Sequence, residues 1–561
     1  MIVFVVTILC FVPAISGGFV SWDDGVNFVA NPWYRGFGAA QLKWMWSTTL
    51  LGHYVPLAWM SLGFDYVMWG MDPSGYHITN VVLHALDAVL VFALAREITL
   101  RKPSGIARPN VVSLAAACAA LLFSIHPLRV ESVAWVTERR DVLSLAFALL
   151  AVLAYLRSSD NQSRLNRWYW ISLACAACAV LSKATTVTLP AVLFVISVYP
   201  LRLIGGSAGW TSDSAKRTYA RIAPFAVLSL IFGIASVIVL RAGAQLGAGA
   251  KIAVVGYGVV FYVWKTLVPI GLSPLYQMPE TIDPLAPMFL ACMAATVLLL
   301  VALVFARKRV PGLVAASAAF LIVMLPLLGV VQNGNQIVAD RYTYHASPAL
   351  AVAACGGIVW LLERFRRATL GALIATTFVL GVATWRQTEF WHDSVTLWSR
   401  ALDMDSTNAI AHNDLGVEFA SAGNSNAAIA QYRKAIALRP GYAQAHNNLG
   451  FEIAHLGAGS QAESEYRQAI AIDPKYAEAE INLGNLLLAG GRSAEAISHY
   501  ERATIVDPKH AGAEYDLGIA LMREKRLVQA AQHLERATEL DPFDADARDA
   551  LSSVRGQLVH N

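Results

Sequence analysis

Up to about residue 385 the chain alternates long apolar runs with short loops rich in basic or aromatic residues. Beyond that point no run is long enough to cross a bilayer. A spanning helix needs roughly 20 apolar residues, with a range of about 17 to 25. Eleven runs come near that length: 2–17, 77–98, 111–126, 142–158, 168–183, 186–203, 222–240, 285–306, 312–330, 346–362 and 368–385. The stretch 252–268 is interrupted by Tyr257, Tyr262, Trp264 and Lys265 and ends at Pro269, so it reads as interfacial or re-entrant. The pattern predicts an all-α chain, with a polytopic membrane domain over 1–388 followed by a water-soluble part.

The soluble part repeats itself. Leu-Gly recurs at 415–416, 449–450, 483–484 and 517–518, and Pro at 440, 474, 508 and 542. Ala recurs at 428, 462, 496 and 530, and again at 435, 469, 503 and 537. Every series steps by 34 residues, the period of a tetratricopeptide-repeat solenoid. Small residues let the two helices of a unit approach, Tyr432, Tyr466, Tyr500 and Leu534 fill the contact, and Pro ends the second helix. Four repeats occupy 409–542. A half-repeat connector at 389–408, with Trp398 and Ala401 in register, precedes them, and a capping helix and tail at 543–561 follows. Two residues before each periodic Leu-Gly glycine stand Asp414, Asn448, Asn482 and Asp516. This ladder either grips an extended peptide backbone in the groove or hydrogen-bonds from repeat to repeat.

Composition agrees with a membrane chain: 56% of the 561 residues are hydrophobic and only 15% charged, and the mean hydropathy is +0.49. A net charge of +4 carries no nucleic-acid signature. The six cysteines all lie in apolar runs, and Cys175-x-x-Cys178 has no second pair, so helix packing accounts for them. Basic residues favour the cytoplasmic side. Clusters at Arg96–Arg108 (with Lys102), Arg157–Arg167 (with Arg164), Arg202–Arg221, Arg307–Arg309 and Arg364–Arg367 all fall on one side if the N-terminus is cytoplasmic. The first segment lacks a basic n-region and reads as an uncleaved span. The repeats and the loops 18–76, 127–141, 241–284 and 331–345 then lie outside.

Those outer loops hold the chemistry. Ser21-Trp22-Asp23-Asp24-Gly25 is turn chemistry taken alone, but a carboxylate at a membrane surface can also serve as general base while its neighbour holds it or binds a divalent cation. Loop 18–76 is aromatic, with short amphipathic stretches at 41–50 and 56–69. His77, Asn80, His84 and Asp87 share one face of the second span. A polar stripe inside a bilayer either lines a cavity or bonds neighbouring helices, and the side on which it starts favours the cavity. The loop His126 to Asp141 carries Arg129, Glu131, Glu138, Arg139 and Arg140. It is either a phosphate cradle, with the arginines as forked donors oriented by Glu131 and Glu138, or a solvated loop of internal ion pairs. Lys183 sits in the next outer turn. The stretch Gln332-Asn333-Gly334-Asn335 to Asp340-Arg341-Tyr342-Thr343-Tyr344-His345 completes a convergence of four loops.

Trp22-Asp23-Asp24 with Asn31-Pro32, Pro56-Leu57-Ala58-Trp59, His77-x-x-Asn80-x-x-x-His84, His126-Pro-Leu-Arg-Val-Glu131-Ser-Val-Ala-Trp135 and Ala339-Asp340-Arg341-Tyr342, followed by 34-residue units, resemble the transmembrane and tetratricopeptide-repeat O-mannosyltransferase-like family in its bacterial form. The resemblance covers nearly the whole chain. It implies a GT-C glycosyltransferase fold in an inner membrane and a polyprenyl-phosphate sugar donor. It also implies protein acceptors with a Ser or Thr hydroxyl, reaction on the non-cytoplasmic face, and inversion at the anomeric carbon. Asp23 and Asp24 match the acidic pair. On that footing Arg139, Arg140, Lys183 and Arg341 are assigned to the departing lipid phosphate, and His77, Asn80, His84 and Glu131 to the cavity wall. The repeats would recruit the acceptor protein. The competing reading is a non-enzymatic, membrane-anchored repeat scaffold for envelope assembly. Against it stands the intramembrane polar stripe, which an anchor does not need. Transport is disfavoured by the absence of paired Gly/Pro-broken segments.

Overall fold

The computed structural model describes residues 1–101, 108–160, 166–239, 246–329 and 334–560. Lys102, Arg164, Gln332 and Asn333 of the motifs above lie outside the described residues. The chain divides into two compact units, Met1–Arg400 and Ala401–Asn561, so the boundary falls inside the connector rather than ahead of it. Among the described residues the chain is all-α apart from a two-stranded antiparallel ribbon, Tyr276–Gln277 with Gln336–Val338.

In the first unit every apolar run is helical. Among the described residues six helices can cross a bilayer by length and composition, or seven when one bent pair counts as a single span; three shorter apolar helices accompany them. The first run is Ile2–Cys10 and Val12–Ile15, interrupted at Phe11 ahead of Pro13. The two last runs form one continuous assignment, Ser347–Glu389, whose Phe365 leaves helical geometry at φ −137°, ψ 48°. Its two halves run back on each other. Tyr344, just before it, bonds Asp87, while Thr384 near its end bonds the Ile125 carbonyl at 2.6 Å, and Leu362 and Leu370 share one apolar cluster at the other end.

The reading of 252–268 as re-entrant is corrected. Residues Ala248–Leu267 form one unbroken 20-residue helix. Its aromatic residues serve packing: Tyr262 is buried and its hydroxyl accepts the Ala339 N–H at 3.2 Å. Lys265 reaches back to the Ile270 and Gly271 carbonyls.

The loop after the third run is likewise no solvated segment. Helix Pro109–Ser124 breaks ahead of Pro127 and continues, bent by 59°, as a chain of short turns through Ala134. Residues 125–139 are buried throughout. A broken helix frees carbonyls that a bilayer interior cannot solvate. Asn80 donates to the carbonyls of Val133 (3.1 Å) and Trp135 (3.3 Å), and His84 to that of Ser124 (2.9 Å). The polar stripe therefore satisfies the break.

The second unit is four helix pairs, Ala409–Ser421/Ser425–Leu438, Ala443–His455/Gly459–Ile472, Ala477–Ala489/Ser493–Val506 and Ala511–Arg523/Leu527–Leu540, closed by Ala545–His560. A Cβ on Gly416, Gly450, Gly484 or Gly518 would come within 2.5–2.9 Å of Tyr432, Tyr466, Tyr500 or Leu534. This explains why glycine recurs there.

Candidate functional site

The loop Gly17–Asp24 is held from two sides. Asp24, 1% exposed, accepts the Val20 N–H (3.1 Å), the Thr137 N–H (3.1 Å) and the Thr137 hydroxyl (2.6 Å). Burial raises its pKa to about 7 against those bonds. Both its oxygens thus accept hydrogen bonds, and among the described residues no group of three or more His, Cys, Asp or Glu is placed to hold a metal ion. Asp23 is different. It is half-buried, and its carboxylate has no hydrogen-bond partner among the described residues, although its backbone carbonyl accepts the Asn27 N–H at 2.9 Å. Burial raises its pKa, while the nearby Arg140 and Arg341 charges pull it down.

Opposite Asp23 lies a charge cluster centred on Glu138, which is fully buried. Its oxygens meet Arg140 at 2.8 Å, Lys183 at 2.7 Å and Arg341 at 3.3 Å. Asp141 holds Lys183 from the other side at 2.6 Å. Glu131 pairs with the Arg341 guanidinium and accepts its backbone N–H at 2.8 Å. The three cations stay in place because carboxylates occupy their buried sides, yet each keeps 9–16% of its side chain exposed. Arg341 also lies over the rings of Trp22, Trp135 and Tyr342 at 5.2–5.8 Å. Burial alone would lower its pKa, but Glu131, Tyr342 and Glu138 together hold it above the usual value.

His53 belongs to this group and is not legible in the sequence. A tight turn, with Leu51 at φ 52° and Gly52 at φ 77°, delivers it. Burial and the Arg140 and Lys183 charges lower its pKa to about 3, which leaves a neutral imidazole. The only sequence signal is a lone His ahead of an aromatic helix.

Other assignments move. Arg139 is buried away from the three cations. Its guanidinium bonds Asp65 (2.6 Å), Ser61 (2.8 Å), the Tyr76 carbonyl (2.9 Å) and the Asn80 side chain. It joins two helices, and four of its five N–H donors are taken within the protein. His77, Asn80, His84 and Glu131 are engaged within the protein: His77 reaches the Gly18 carbonyl at 3.3 Å, His84 and Asp87 share the Tyr344 hydroxyl, and Glu131 holds Arg341. In the repeats Asn448 donates to Asn413 (3.0 Å), Asn482 to Asn447 (2.9 Å) and Asn413 to Asp414 (2.9 Å). The ladder is engaged from repeat to repeat.

An apolar cavity of about 620 Å³ opens beside the cluster. Thr185, Thr186 and His345 line one end, Leu149, Val192 and Ala319 the middle, and Tyr199, Arg309 and Trp360 the other end. His345 Nδ1 lies 3.4 Å from Asp141, the carboxylate that holds Lys183.

Fold and site define an integral membrane protein with a tetratricopeptide array. Tetratricopeptide-repeat families match residues 418–452 and 481–545. Human Protein O-mannosyl-transferase TMTC1 is 25% identical over 77% of this chain and 54% of its own length, and mouse Protein O-mannosyl-transferase TMTC4 is 25% identical over 77% and 65%. A third relative, Protein O-mannosyl-transferase Tmtc1 of Drosophila melanogaster, is 36% identical over 26% of this chain and 16% of its own. The chain thus spans about half the length of the first of these relatives. Among solved structures, MamA matches 28% of this chain and 91% of its own at 24% identity with TM-score 0.25. A Thermus thermophilus tetratricopeptide-repeat protein matches 31% and 95% at 22% identity with TM-score 0.27. The chain is thus similar over most of its length to proteins named as O-mannosyl-transferases, and it carries tetratricopeptide repeats.

Proposed function

We propose that the chain moves a hexose, mannose by its family, from a polyprenyl-phosphate donor to Ser or Thr hydroxyls of proteins on the non-cytoplasmic face of the membrane. The observation that carries this is the partnerless carboxylate of Asp23 facing Arg140 and Arg341. Asp23 takes the acceptor's hydroxyl proton as the oxygen bonds the anomeric carbon. The bond from that carbon to the phosphate oxygen breaks, and the lipid phosphate leaves with its electron pair. Arg140, Lys183 and Arg341 receive the charge. They are preorganised by Glu138, Asp141 and Glu131, so little reorganisation is needed as charge develops. A single displacement inverts the centre. The apolar cavity beside Lys183 suits the polyprenyl chain, and Asp24 fixes the loop against Thr137. The repeats hold the acceptor, with the Asp414, Asn448, Asn482 and Asp516 row stiffening the array from within.

Asp23→Asn tests the assignment. Intact-mass analysis of envelope proteins from cells making the wild type, Asp23→Asn or no enzyme is expected to show hexose-sized additions only with the wild type. Unchanged additions with normally inserted Asp23→Asn would refute it.

A further inference from the structure

The connector between membrane domain and repeats touches the acidic loop at Gly18, Ser21 and Trp22. The Gly18 N–H donates to the His392 carbonyl at 2.9 Å. The Ser21 N–H donates to the Ser394 hydroxyl at 2.9 Å, and the Trp398 indole N–H to the Ser21 hydroxyl at 3.3 Å. Trp22 stacks on Trp135 at 4.9 Å and 24°, lies parallel to Trp391 at 6.5 Å and 6°, and meets Trp398 at 5.3 Å. Trp135, Trp391 and Trp398 are each at most 2% exposed. Gly17 admits no side chain freely: a Cβ there would stand 3.1 Å from the Ala14 carbonyl and 3.5 Å from that of His392.

We infer that Trp391, Ser394 and Trp398 are positioning residues for Asp23, so that the first half-repeat is a built part of the transfer site and not a passive linker. The Asp23 carboxylate makes no hydrogen bond of its own among the described residues. Its neighbours place it: Asp24 is pinned to Thr137 at the head of the helix after the break, and Ser21 and Trp22 to the connector. Arg341 lies over Trp22 and Trp135, so the same aromatic stack carries the proposed base on one side and a phosphate cation on the other. The connector's helix, Ser394–Met404, leads directly into the first repeat. Anything that strains or seats that helix acts on the distance between base and cation. Stacked aromatic rings suit this task, because each pair adds about 0.5–1.5 kcal/mol beyond its burial and restricts tilt.

The inference rests on the transferase reading, and two measurements on the full-length chain separate their failures. Hydrogen exchange reads the clamp without any activity: the amides of Gly18 and Ser21 are protected in the wild type, and Trp398→Ala and Ser394→Ala are expected to speed their exchange while Trp398→Phe changes it little. Transfer from a polyprenyl-phosphate mannose to a Ser/Thr peptide reads the consequence. Trp398→Ala is expected to lower kcat roughly 10- to 100-fold, the scale of an ångström-sized misplacement, with donor KM within about twofold. Its acid limb moves toward the ordinary carboxylate range as Asp23 gains water, and Trp398→Phe recovers most of the rate. Unchanged exchange at residues 18–24 overturns the inference whatever the rates do. Faster exchange with unchanged kcat and pH profile also overturns it and leaves the transferase reading intact. Full activity in Asp23→Asn overturns both.

Discussion

The buried pair of Arg139 and Asp65 offers the sharpest check on how the site is built. Both side chains are at most 1% exposed and meet at 2.6 Å. Breaking such a pair leaves an uncompensated charge where water does not reach, which costs about 3–5 kcal/mol. Asp65→Ala is expected to cost that much and so to lower the folding equilibrium constant by roughly 10² to 10⁴. Replacing both partners, as Asp65→Leu with Arg139→Met, removes both charges. It leaves Asn80 Oδ1 without its donor, a loss of about 1–3 kcal/mol. The double variant is thus expected to be about 2 kcal/mol more stable than Asp65→Ala. Equilibrium unfolding in detergent micelles measures both, and transfer assays on the folded fraction follow. If Asp65→Ala costs under about 1 kcal/mol, the pair is solvated and the reasoning fails. If the double variant folds but its donor KM rises tenfold, Arg139 binds the lipid phosphate after all.

The same geometry yields further expectations. Gly484→Ala drives a Cβ to 2.6 Å from the Tyr500 ring and is expected to cost about 1–3 kcal/mol in repeat-array unfolding. Asp414, whose pKa burial raises to about 7, holds its proton in the folded array and loses it near pH 4 when unfolded, so stability falls as pH rises from about 4 to about 7. Asp414→Asn is expected to flatten that slope and to stabilise the array above pH 7, checked by denaturant midpoints across pH. Ala319→Phe narrows the apolar cavity and is expected to raise the KM for long-chain polyprenyl-phosphate mannose more than for a short-chain analogue; equal effects would remove the lipid chain from that cavity.

Much of this protein follows from local rules. Helices arise wherever an apolar run exceeds about 16 residues, because a bilayer leaves the backbone no other hydrogen-bond partner. The repeats follow from a 34-residue period, because each Gly, Ala and Tyr meets its partner inside one helix pair. The convergence of Asp23, Arg140, Lys183 and Arg341 was legible too, from loops that the spacing of basic clusters assigns to a common side. What the sequence left open was direction. Arg139 and Arg140 are adjacent, yet on a helix successive residues point about 100° apart, and the side chain of one enters the interior while the other faces Glu138. Asp23 and Asp24 divide in the same way, one anchored and one free. Asn80 and His84 of the stripe proved to serve a helix break that no periodicity announces, because the break is satisfied from another span. His53 reached the site through a left-handed turn. Periodicity decides which faces are buried. Only tertiary contact, between residues far apart in the chain, decides which of two like charges meets a partner and which is left to act.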